Sequence, residues 1–142
     1  MSKIKDLWDE HKVPVDDALH FADGRSFDAC VTPESPGGIS ILEPFDLDDR
    51  LSIAPNWVSV VDGLEEELED GGFLWHGDGD NGSEGFFARV NPDRSLVWVV
   101  FFTDSNPFTK AEVVGRYATL SSTSGVVITI DIDDPRRPVP RN

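Results

Sequence analysis

The stretch His76-Gly77-Asp78-Gly79-Asp80-Asn81-Gly82-Ser83-Glu84 brings a histidine, three acids and three glycines into nine positions. Oxygen ligands at alternate positions suit a hard cation, and Asp78-x-Asp80 has the spacing that opens an EF-hand loop. The frame then fails. With Asp78 as position one, Ser83 occupies the glycine position and Arg89 the position of the bidentate glutamate. His76, Asp78 and Asp80 alternate, so in an extended chain they lie about 7 Å apart and converge on a metal only if the loop curls. His11 and His20 lack ligand spacing. Turn geometry accounts for the same Gly, Asn and Asp residues, so the loop is read as a polar hairpin with no metal. The alternative is a calcium- or other cation-binding module, or a metal-dependent enzyme, using residues 76–84.

Nucleophilic chemistry has little to work with. Cys30, the only cysteine, lies between Ala29 and Val31 with no adjacent base or cationic cluster to favour its thiolate. The chain has no GxSxG elbow, no phosphate-binding loop ending in GK[ST] and no GxGxxG. The glycines of 77–82 would hold phosphate poorly, because neighbouring carboxylates repel it. No catalytic residue is assigned, and no cofactor.

Charge is more informative. Twenty-seven acids against twelve bases give −15. Arg136, Arg137 and Arg141 lie in the last seven residues, so residues 1–135 hold nine bases against all 27 acids, a net of −18. Such a field repels nucleic acid and anionic lipid, and attracts basic proteins or cations. Between Glu43 and Glu84 there are thirteen acids and one base, Arg50.

Trp57, Val60, Val61, Leu64 and Leu68 fall at i, i+3, i+4, i+7 and i+11, predicting a helix from about Asn56 to Asp70 with one apolar stripe. Asn56 would cap it and Gly71-Gly72 would stop it. Gly63 weakens the pattern, and a strand over 57–61 ahead of a shorter helix is the other reading. On the helix, Asp62, Glu65, Glu66 and Glu69 share the face opposite the stripe, with no Lys or Arg in support and a C-terminal macrodipole against them. Acids placed against local preference suggest an interaction surface. The expected docking set is Asp62, Glu65, Glu66, Glu69, Asp70, Asp78, Asp80 and Glu84, with Trp75 as apolar anchor.

Other elements follow from pattern. Ser2 caps a short helix to about His11, and Asp16–His20 adds a turn. Phe27–Val31 and Ile39–Leu42 read as strands around the loop 32–38. After Gly72 the strands are Gly72–Trp75, Glu84–Val90, Leu96–Thr103, Glu112–Leu120 and Val126–Ile132. The last two form a hairpin. Leu96–Phe102 is apolar on both faces and should be central. The expected class is α+β, a mostly antiparallel sheet from the C-terminal half packed on helices from the N-terminal half. Residues 1–134 form one domain, and the proline- and arginine-rich 135–142 an extended or disordered tail. The charged amino terminus lacks a secretion signal, no window reaches the ~20 apolar residues of a membrane span, and a lone cysteine forms no internal disulfide; a cytoplasmic protein without nucleic-acid or membrane partners is expected.

Three stretches, Gly71-Gly72-Phe73-Leu74-Trp75-His76-Gly77, Gly82-Ser83-Glu84-Gly85-Phe86-Phe87-Ala88, and Trp98 through Phe102 on to Ser105-Asn106-Pro107-Phe108, are similar to those of small immunity proteins of bacterial polymorphic or contact-dependent toxin systems. They cover about a quarter of the chain and are loose aromatic and glycine patterns. The resemblance implies a cognate toxin as partner, often a nuclease, and no catalysis. It assigns no individual binding residue.

Overall fold

Residues 2–60, 63–79 and 82–140 are described by the computed structural model. The chain runs α1 (Lys3–Asp9), β1 (Lys12–Pro14), β2 (Ala18–Phe21), β3 (Ser26–Val31), β4 (Ile39–Phe45) and α2 (Leu47–Ile53). It continues with β5 (Trp57–Ser59), β6 (Leu64–Glu67), β7 (Phe73–Gly77), β8 (Gly85–Val90) and β9 (Leu96–Phe102), then β10 (Phe108–Val114), β11 (Tyr117–Ser122) and β12 (Val127–Asp131).

The doubly apolar β9 is the middle strand of a seven-stranded antiparallel sheet ordered β4-β3-β2-β9-β8-β7-β6. Its Trp98, Val100 and Phe102 pack against a second sheet, β10-β11-β12, together with Ile128, Ile130 and Ile132. Val99 and Phe101 turn the other way, toward Ile4, Leu7 and Trp8 of α1, Leu47 and Leu51 of α2, and Val13 and Val58 of the β1-β5 ribbon. A strand buried on both faces must be apolar on both, and β9 is. Among the described residues no helix is long and apolar enough to cross a membrane.

The sheet is therefore not a product of the C-terminal half alone, because β2, β3 and β4 come from the first half. Ser2 caps α1 as expected, its side chain accepting from the Lys5 amide at 3.3 Å. Asp16–His20 makes no helical turn: residues 18–21 are β2, buried at all four positions between β3 and β9. The expected strand 112–120 is broken at Gly115, whose φ of +60° turns β10 into β11.

The largest difference falls on 56–70. These residues form β5 and β6, not a helix; residues 61 and 62 lie outside the described set. Val58 and Val60 are buried at i and i+2, the strand period, whereas Trp57 and Leu64 of the supposed stripe are 40% and 54% exposed. Gly63 has a steric role: a Cβ there would sit 2.0 Å from the Trp75 indole nitrogen. Gly71, with φ +88°, turns the β6–β7 hairpin, closed by Leu68 N–H to Gly72 O at 2.8 Å.

A seven-residue helix, α2, appears where none was expected. Asp46 caps it by accepting from the Asp49 amide at 3.1 Å. Arg50 fastens it to the sheet, donating to Asp16 at 2.8 Å and Asp28 at 2.7 Å, with its guanidinium carbon 3.6 Å from the Phe45 ring centroid. Phe45 in turn meets the ring of fully buried His20 edge-on, centroids 5.9 Å apart. His20 Nδ1 lies 2.8 Å from Ser26 Oγ, and its Nε2 has no hydrogen-bond partner among the described residues. In the tail, Pro135 is buried and Arg136 lies over the rings of Phe21 and Phe27, at 4.9 and 5.2 Å.

Candidate functional site

β6 is an outer strand of the large sheet and, among the described residues, pairs with β7 alone. Its register, Glu65 opposite Trp75 and Glu66 opposite Leu74, sends adjacent glutamates to opposite faces. The single acidic helix face therefore does not exist. Glu65 forms an ion pair with Arg94, which stacks over Phe73 on the same side, 4.3 Å from the ring centroid. Glu66 turns toward the small sheet, its Oε2 3.2 Å from His76 Nε2. A charged outer strand also resists pairing with other chains.

Glu69 and Asp70 occupy the β6–β7 turn. Asp70 accepts from the Gly72 amide at 2.8 Å and from Arg89 at 2.8 Å; these bonds, the amide first, hold its carboxyl below the ordinary range. Arg89 bridges onward to Asp133 at 2.9 Å and to the Ile132 carbonyl at 3.2 Å. Beside this turn a groove of about 560 Å³ separates the ends of the two sheets, with Glu67, Glu69, Asp70 and Asp133 on its walls beside Arg89 and Arg116. Arg116 is committed to the buried Asp131, at 2.6 Å.

Sequence-proximal residues are thus divided. Glu65, Glu67, Glu69 and Asp70 gather along the outer strand and its turn, while Asp78 lies past the other end of β7, about 20 Å from that turn at ~3.3 Å per residue but only three residues beyond Trp75, the partner of Glu65. Glu84 is only 3% exposed, packed under Gly79, where a Cβ would approach its Oε1 to 2.4 Å. It belongs to the interior and not to a docking surface. Trp75 is half-buried in an aromatic group, 5.4 Å from Trp8, 5.8 Å from Phe86 and 6.1 Å from His11, near-perpendicular to each. Asp62 and Asp80 lie outside the described residues.

For the cation reading the relevant residue is His76. It is fully buried, with Nδ1 2.7 Å from the Phe108 carbonyl and Nε2 facing Glu66. Both ring nitrogens are thus occupied, Nδ1 by a carbonyl and Nε2 by a carboxylate, and neither faces an open site. The ring ties two sheets together. Among the described residues no group of three His, Cys, Asp or Glu side chains is placed to hold a metal ion.

Long-range pairing is what sequence reasoning missed. Every arginine from Arg25 to Arg137 is paired inside the chain: Arg25 with Asp23, Arg50 with Asp16 and Asp28, Arg89 with Asp70 and Asp133, Arg94 with Glu65, Arg116 and Arg137 with Asp131, and Arg136 with Asp134. Glu67 and Glu69 are exposed and have no ion pair among the described residues. Arg25–Asp23 and Arg136–Asp134 are only two residues apart, but no sequence signal gives the other partners, because they depend on strand register and on how α2 docks. No protein-family model, curated protein or solved structure matches the chain.

Proposed function

We propose that the chain is an acidic protein-binding module that neutralises a basic partner by covering its working surface. The outer strand β6, its turn and the adjoining groove form the docking face. The observation that carries this reading is the asymmetry of pairing: seven arginines are satisfied internally, whereas Glu67 and Glu69 stand exposed beside a groove walled by Asp70 and Asp133. Such a surface has little free positive charge with which to bind an anion, and its unpaired carboxylates attract Lys and Arg of an approaching protein. The similarity to immunity proteins makes a toxin, often a nuclease in such pairs, the partner class we propose. A nuclease surface built to hold phosphates is cationic and would meet carboxylates in place of phosphates.

A charge-reversal pair tests this. Glu67→Lys with Glu69→Lys should weaken binding of an oligolysine peptide about tenfold at low salt. Glu34→Lys with Glu43→Lys changes the net charge equally at other sites and should weaken it much less. Equal losses from both pairs would reduce the effect to net charge and remove the docking face.

A further inference from the structure

We infer that the segment 52–57, which runs from the end of α2 to the start of β5 and carries Ile53 and Trp57, is a second docking element, which inserts into an apolar patch ringed by Lys and Arg on a cationic protein. The inference rests on the acidic-module reading for its partner chemistry, but uses different residues on a different part of the fold.

Residues 52–57 are exposed throughout, with Ile53 at 85% and Trp57 at 40%. Four of the six, Ile53, Ala54, Pro55 and Trp57, are apolar. A monomer gains nothing by presenting such a run, and contiguous exposed apolar surface marks contact sites. Tryptophan is also among the residues that dominate binding energies.

The segment is held in place. The Ala54 amide donates to Arg50 O at 3.0 Å, the Val15 amide donates to Asn56 O at 3.1 Å, and Trp57 pairs with Pro14. Arg50, fastened to Asp16 and Asp28, anchors the helix in which the segment begins. A surface ordered before contact loses less conformational entropy on binding.

Charge selects the occupant. Asp49 lies one helical turn before Ile53, on the same side of α2. On the other flank Lys12 sits over the Trp57 ring at 6.0 Å and is itself neutralised by Glu10 at 3.2 Å. A second copy of this chain brings another −15 and is repelled. A protein with an apolar centre and a cationic rim complements both features.

The probe is a synthetic peptide of alternating Lys and Leu, with the oligolysine peptide as a charge-only control. Amide and indole signals of residues 52–57 should shift on addition of the Lys-Leu peptide. Ile53→Ser, and separately Trp57→Ala, should weaken its binding about tenfold and leave oligolysine binding unchanged. Unmoved 52–57 signals, or an unchanged Kd in both variants, would overturn the assignment. Self-association that Ile53→Ser abolishes would overturn it in favour of a second copy, and adsorption to phosphatidylcholine vesicles lost in that variant would overturn it in favour of a membrane. Failure of the β6 face would appear separately, as oligolysine binding indifferent to Glu67 and Glu69.

Discussion

Trp98→Ala is expected to destabilise the fold by about 3–5 kcal/mol, measured by urea unfolding at neutral pH. Trp98 is fully buried on the central strand and meets Phe87 edge-on at 6.1 Å, in the layer between the two sheets. Its Nε1 donates to the Ile132 carbonyl at 2.9 Å, tying β9 to the end of β12. Truncation removes the ring from a close-packed interior and leaves a cavity that a strand paired on both sides cannot close. The lost hydrogen bond adds less than usual, because Arg89 also donates to the same carbonyl at 3.2 Å. Trp98→Phe should therefore cost about 1–2 kcal/mol. Trp57→Ala, at a 40% exposed site, should cost below about 1 kcal/mol. A cost below about 1.5 kcal/mol for Trp98→Ala would contradict this packing of the two sheets.

Acidification should destabilise the protein in a window that belongs to His20. Burial first, and then the positive charge of Arg50, lower its pKa from 6.5 to about 4, with Asp28 opposing. The folded state thus prefers the neutral ring, whereas the unfolded chain takes up a proton near pH 6.5. The stability from the neutral ring is complete above pH 6.5 and is lost as pH falls toward 4. The loss should amount to about 2 kcal/mol between pH 7 and pH 4.5. His20→Gln, neutral throughout, should lower stability at pH 7 but remove about that much of the pH dependence. Carboxylates held low by hydrogen bonds and ion pairs, such as Asp23, Asp70 and Asp134, titrate below this window. Equal slopes for the variant and the parent from pH 7 to 4.5 would contradict the assignment. The geometry also names the part that loosens first. A protonated His20 would put positive charge against Phe45 and Arg50, which hold α2.

The strands of the second half were legible because their burial is simple. Val126, Ile128, Ile130 and Ile132 alternate against one core, and Leu96–Phe102 is apolar throughout because both its faces are covered. The segment 56–70 misleads because its apolar residues satisfy two periods at once. Trp57, Val60, Leu64 and Leu68 fit a helix, Val58 and Val60 fit a strand, and tertiary packing on α1 and α2 decides. A helix as short as α2 offers only Leu47 and Leu51 to a periodicity argument.

The candidate site divides in the same way. That acids concentrate between Glu43 and Glu84 is visible in the chain, whereas the face each one occupies depends on the period assigned. Once β6 replaces the helix, Glu65 and Glu66 separate, and Glu84 passes inside. Arg89 and Arg94, which answer the apparent lack of compensation for Asp70 and Glu65, are 19 and 29 positions away and adjacent only through the β6–β7–β8 register.

Whether these carboxylates act together as one docking face is tested most directly by amide chemical-shift mapping during an oligolysine titration at low salt. The largest shifts should cluster at Glu67–Asp70, Arg89 and Asp133, and should fade as salt is raised toward physiological strength. Small shifts spread evenly over the acidic surface, or a maximum elsewhere that ignores Glu67 and Glu69, would contradict the assignment.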